Sequence, residues 1–177
     1  MKELLERIKL IVHFTIELEI EKPVFVNKLI QNIDEGDTGT FFSPFEAFSS
    51  SKNNYKGKVA FDQFKIRRRR KFFDTNMNLA TAKGAFKQVD KNVVIQTEIN
   101  GFNGMLIPYY IFVPIFYLLF IIGFAFADSS PQELWYIIPF MIVHATLMLG
   151  FPYFFMRRGV SKMKYELERD LYYMIRK

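Results

Sequence analysis

The sequence predicts an α+β protein: a small antiparallel sheet with one packing helix, followed by a two-helix transmembrane hairpin and a C-terminal amphipathic helix. Three observations predict it. Residues 10–20 alternate apolar and polar side chains, the period of a half-buried strand. Two uncharged apolar blocks, at about 105–127 and 134–156, each match the roughly 20 residues that cross a bilayer. After the second block, Val160, Met163, Leu167, Leu171 and Met174 recur at helical spacing, with Ser161 as a cap.

Taken in order, Leu10, Val12, Phe14, Ile16, Leu18 and Ile20 are the apolar set of the first strand, and His13, Thr15, Glu17 and Glu19 are its polar face. His13 has no ligand partner near it in sequence and reads as a surface histidine. Pro23 suits the first turn of a helix, and Phe25, Val26, Leu29, Ile30 and Ile33 keep helical spacing up to Gly36, which can stop it. Such a stripe covers a sheet face. Residues 37–55 form an aromatic loop whose Phe41, Phe42, Phe45 and Phe48 need a surface to lie on, either the sheet or the bilayer.

From Lys56, the stretch KGKVAFDQFKIRRRRKFF reads as one strand whose phase shift near Asp62 and Gln63 asks for a bulge or a bend. Met77 and Leu79 continue a strand, and Ala80, Ala82 and Gly84 are small enough for the close approach of a neighbour. Asp90, Lys91 and Asn92 then turn the chain into Val93, Val94, Ile95 and Ile99, a hairpin signal. This gives a cytosolic α+β domain at 1–103, a transmembrane hairpin at 104–156 and a helical tail at 157–177. The tail can pack on the sheet, lie on the membrane or pair with another subunit.

Charge orients the hairpin. Residues 1–103 hold 17 Lys/Arg against 13 Asp/Glu, and the tail from Arg157 holds 7 against 3. The short turn between the blocks carries only Asp128 and Glu133, so both termini are expected in the cytoplasm of a cell with this protein in its inner (plasma) membrane. Trp135 and Tyr136 suit the outer interface; Tyr109, Tyr110, Tyr153 and Phe154 suit the inner one. The opening residues carry Glu3, Glu6, Glu17, Glu19 and Glu21 where a signal peptide needs an uncharged stretch.

The composition narrows the chemistry. With 0 cysteines there are no disulfides, thiolate metal sites or thiol nucleophiles. GDTG at Gly36–Gly39 and INGFNG ending at Gly104 lack the strand-to-helix setting and the lysine of a phosphate loop, and no HExxH or GxSxG occurs. Glu17 and Glu19 share a strand face without an acid–base partner. No enzyme, cofactor or metal site is expected.

Two sets of residues stand out. Arg67, Arg68, Arg69, Arg70 and Lys71, with Arg157 and Arg158, are candidates for lipid headgroup contact, each worth about 1 kcal/mol beside an anionic surface. The same run could be a solvated strand face. Nucleic acid is not expected, because Phe72 and Phe73 sit beside a single cluster rather than as spaced stacking platforms. His144 is the one titratable group of the second block, and such groups inside a membrane are costly. A hydrogen bond to Tyr110, Tyr117 or a carbonyl freed by Pro114 would make it structural; lining a path would make it functional. Pro108, Pro114, Pro139 and Pro152 allow kinks, and Gly123, Ala125, Ala127, Ala145 and Gly150 let helices approach.

The line YKGKVAFDQFKIRRRRKFFDTNMNLATAKGAF, the strand and turn NVVIQTEINGFNG, and then two apolar blocks with a short tail resemble a group of uncharacterised bacterial two-span membrane proteins with an N-terminal α+β cytosolic domain. Where that group would place an Asn-Ser-Phe and Pro-like stretch, this chain has Asn76, Met77, Asn78 and Leu79. The resemblance implies a fold and no activity. Together these readings lead to a non-enzymatic integral membrane protein, an interaction or accessory subunit, with membrane lipids and a protein partner or second copy as its partners. An oligomeric channel or transporter component and an anionic-lipid-sensing module are the alternatives.

Overall fold

A computed structural model shows an α+β chain with two long apolar helices. It describes residues 1–39, 51, 53–69, 79–126 and 131–176. Two compact units emerge, Met1–Phe102 with Met156–Lys177, and Asn103–Phe155. The elements are α1 (Lys2–Arg7), β1 (Ile11–Glu19), α2 (Lys22–Gln31), β2 (Ile33–Glu35), β3 (Tyr55–Val59), β4 (Gln63–Arg68), β5 (Thr81–Val89), β6 (Asn92–Asn100), α3 (Leu106–Phe126) and α4 (Pro131–Arg176).

The first unit is built on one six-stranded sheet in the order β1-β6-β5-β4-β3-β2. β3 to β6 form an antiparallel meander, and β1 closes against β6 with Ile16 opposite Ile95. The sheet is mixed, not purely antiparallel as the sequence suggests, because β2 runs parallel to β3, with Ile33 opposite Tyr55. Ile33 therefore belongs to a strand rather than to the end of α2, yet it is buried either way.

The basic line is also two strands and not one. Ala60 donates its N–H to the Gln63 carbonyl at 2.8 Å, closing a hairpin between β3 and β4. That reversal explains the phase shift read as a bulge or bend within one strand: Val59 and Phe64 are opposite each other on one face, and Phe61 lies at the tip, exposed beneath the Lys22 ammonium 4.4 Å from its ring centre. The β5–β6 hairpin falls where Asp90 and Lys91 predict it. Asp90 takes φ 51°, a conformation that Asp tolerates better than most residues.

Strand pairing puts Ile16, Leu18, Val93, Ile95, Ile99, Ala82, Phe86, Phe64, Ile66 and Tyr55 on one face, and all are buried. Two helices cover that core, not one. α2 contributes Phe25, Val26 and Leu29, with Phe25 edge-on to Phe86 at 5.3 Å. Its first N–H is satisfied from outside the helix, since Lys22 N–H donates to Gln88 Oε1 at 2.7 Å. The final stretch of α4 contributes Val160, Met163, Leu167 and Leu171, none more than 1% exposed. Of the three places open to the tail, the sheet is the one it takes; each such side chain removed from water is worth about 1.5–3 kcal/mol.

The second unit contains α3 and the first part of α4. Its surface is inverted relative to the first: no residue of Leu106–Phe124 is buried. Prolines inside both helices leave carbonyls without their usual donor. One of these is answered directly. Pro152 has no N–H for the Met148 carbonyl four residues back, and the Tyr109 hydroxyl donates to that oxygen at 2.7 Å.

Candidate functional site

The pleat of β4 sorts the arginine run residue by residue. Arg68 turns to the helix-covered face and pairs through Nη1 with the Glu166 carboxylate of α4; both are mostly buried. Arg69 is 5% exposed and holds Asp34 at 2.7 Å. Arg67 is also 5% exposed, with Nη1 donating to the Arg68 carbonyl at 3.3 Å. Arg68 and Arg69 are thus matched by carboxylates of the same unit. Arg157 and Arg158 are exposed on α4, and Arg70 and Lys71 lie outside the described residues, as do Phe41, Phe42, Phe45 and Phe48.

A different set of cations faces solvent. On the side of the sheet away from the core, register aligns Lys58 with Lys65, Lys65 with Lys83, Lys83 with Glu98 and Glu98 with His13. Three lysines stand side by side on adjacent strands, about 4.8 Å apart by strand spacing. Glu98 is engaged by Lys2 at 2.6 Å, and that hydrogen bond first holds its carboxyl below the ordinary range; burial opposes the shift, and the charges of Lys2, His13 and Lys83 add to it. His13 hydrogen-bonds Glu6 at 3.1 Å, as a surface histidine would. A cleft of about 1180 Å³ crosses this band of the sheet, and its lining takes in all five members of the row. Sequence reading misses the row because its lysines lie far apart in the chain; the KGK of β3 and the alternation around Lys65 and Lys83 become a signal only once the strand register is known.

A smaller hollow of about 410 Å³ opens beside Tyr55 and Asp170. The Tyr55 hydroxyl donates to Asp170 Oδ2 at 2.9 Å, and burial, then the Asp170 charge, push the phenol far above its ordinary value. This is a fastening between β3 and the tail. Among the described residues no three His, Asp or Glu side chains converge to hold a metal ion.

In the second unit, His144 Nδ1 is hydrogen-bonded to the Tyr117 hydroxyl, and its ring stacks on Phe140 with centres 6.0 Å apart. Of the partners open to it by sequence, Tyr117 is the one within reach. Tyr110 donates instead toward the Leu149 carbonyl at 3.5 Å.

No family model, curated relative or solved structure matches this chain. Its function therefore rests on the residues themselves.

Proposed function

We propose that this chain is a non-enzymatic integral membrane protein, an interaction or accessory subunit whose α+β unit is held at the cytosolic membrane surface by a two-helix hairpin. The spans are 105–127 and 134–156, the membrane is the inner (plasma) membrane, and both termini are cytoplasmic. One observation carries the reading: the most apolar helical surface in the chain is also the most exposed, with Phe112, Phe116, Leu119, Phe140, Val143 and Leu147 each at least 59% accessible. Helices that are apolar all round are stable in hydrocarbon and a liability in water.

The contacts between α3 and α4 support an antiparallel pair. Moving from Tyr109 to Tyr117 on α3 moves the partner back from Met148 to His144 on α4. The Tyr109 bond to a proline-freed carbonyl suits a medium with no water to replace it. Arg157 and Arg158 follow the second span directly, as the positive-inside rule asks of a cytoplasmic flank. The interaction role draws support from the open sheet face, which pairs a cationic row with exposed Glu17 and Glu19 on β1.

The test is crosslinking in native membranes with photoreactive residues at Lys87 and Gln96, both exposed on that face. The proposal expects the chain to resist alkaline carbonate extraction and to give a discrete adduct with a second polypeptide or a second copy. Release by carbonate overturns the membrane assignment. A chain retained in the membrane that stays monomeric and forms no adduct overturns the interaction role.

A further inference from the structure

We infer that the lysine row on the exposed sheet face is a binding site for a small ligand carrying two or three linked phosphate groups. Lys58, Lys65 and Lys83 occupy directly paired positions on β3, β4 and β5, so Lys65 has a cationic neighbour on each side. Like charges placed directly opposite one another weaken a sheet. Several other cations of this unit are matched: Lys2 with Glu98, Lys22 with Asp62, Arg68 with Glu166 and Arg69 with Asp34. Neither Lys58 nor Lys65 forms an ion pair among the described residues, and Glu98, the next member of the row, is already held by Lys2.

The shape of the ligand follows from the row. Three ammonium groups along one line suit an anion with several charges in sequence. Linked phosphates supply that, with more than one oxygen acceptor for each lysine. A single carboxylate answers one lysine and leaves the others facing each other. The hollow of about 1180 Å³ along the row gives a discrete ligand room to reach all three lysines. Lysine binds phosphate as a mobile point charge, so exposed lysines on a rigid sheet can close on phosphates of varied spacing. This inference stands whether or not the α+β unit sits at a membrane.

The experiment uses the full chain in nanodiscs of zwitterionic lipid, titrated with inorganic tripolyphosphate by calorimetry. Saturable one-to-one binding is expected, weakened about tenfold or more in Lys65→Gln, as loss of one charge-assisted contact implies. Lys87→Gln changes an exposed lysine that faces Val94 across the strand pair and should leave the affinity within about twofold of wild type. Without ligand, Lys65→Gln should melt no lower than wild type because it relieves repulsion, which separates lost binding from lost folding. Absence of saturable tripolyphosphate binding overturns the inference, and so does equal binding by Lys65→Gln. Lysine-dependent binding to vesicles of anionic lipid without binding to free tripolyphosphate also overturns it, in favour of a docking surface for the bilayer.

Discussion

α4 carries two opposite surfaces on one helix. Between Trp135 and Phe155 it is largely apolar, and Phe140, Ile142, Val143, Leu147, Phe151 and Phe154 are all exposed. From Met156 onward it is rich in charge, yet Val160, Met163, Leu167 and Leu171 are fully buried. The half with more apolar residues buries fewer of them. What places a helix against a water-soluble core is a stripe, and only the charged half has one. The more apolar half has no such stripe, and it is long and apolar enough to cross a membrane.

The largest effect that could break this comparison is a pair of truncations at equivalent side chains. Leu167→Ala should destabilise the α+β unit by about 2–5 kcal/mol, because it opens a cavity where a fully buried side chain packs. Leu147→Ala, at a position 63% exposed, should shift unfolding in detergent by less than about 0.5 kcal/mol. Hydrogen exchange on sheet amides reads the first directly; equal losses from both would erase the distinction.

Glycines sharpen the same contrast at a smaller scale. A Cβ at Gly57 would sit 2.1 Å from the Lys65 carbonyl oxygen and 2.7 Å from Ile66 Cα, both backbone atoms that cannot rotate aside. Gly57→Ala should cost about 1–3 kcal/mol through displacement of the β3–β4 pair. Gly104 has nothing within 4 Å of such a carbon, so Gly104→Ala should be close to neutral in thermal unfolding.

Next in size is the fastening at Tyr55, for which Tyr55→Phe should lose about 1 kcal/mol at neutral pH. Its phenol titrates higher when folded than the ordinary value of 10.0, chiefly through burial, so the folded state holds this proton more tightly. The corresponding stability is fully present below pH 10 and declines as pH rises above it. Chemical denaturation from pH 8 to 11 should show that decline in wild type and a flatter profile in Tyr55→Phe.

The smallest effect belongs to the apolar unit. Tyr109→Phe should cost about 0.6 kcal/mol, the average for a hydrogen bond between membrane helices. Combining it with Pro152→Ala should remove most of that cost, since the alanine N–H can then serve the Met148 carbonyl within the helix. Additive losses in a double-mutant cycle would show that the tyrosine answers something else.

Much of the fold was legible because its signals are local. The alternation from Leu10 to Ile20, the stripe of Phe25, Val26 and Leu29, the Asp90–Lys91 turn and the two apolar blocks need only a few neighbouring residues to be read. The β3–β4 reversal escaped because Ala60, Phe61 and Asp62 include no glycine or asparagine to announce a tight turn. The parallel pairing of β2 and the second covering helix depend on distant partners, Ile33 with Tyr55 and Glu166 with Arg68. The same limit explains the candidate site. A run such as Arg67 to Lys71 attracts attention in sequence, although Arg68 and Arg69 are matched by carboxylates, while Lys58, Lys65 and Lys83 become neighbours only through strand register.

The proposed topology, with the α+β unit on the cytosolic side of a two-span hairpin, is open to a direct test by cysteine labelling in intact cells. The chain contains 0 cysteines, so single substitutions give an unambiguous readout. Ser129→Cys, in the polar stretch of sequence between the apolar blocks, and Lys91→Cys, at the β5–β6 turn, are treated with a membrane-impermeant maleimide. With the proposed topology, Ser129→Cys is labelled from outside and Lys91→Cys only after the membrane is opened. Labelling of both positions from the same side would contradict it.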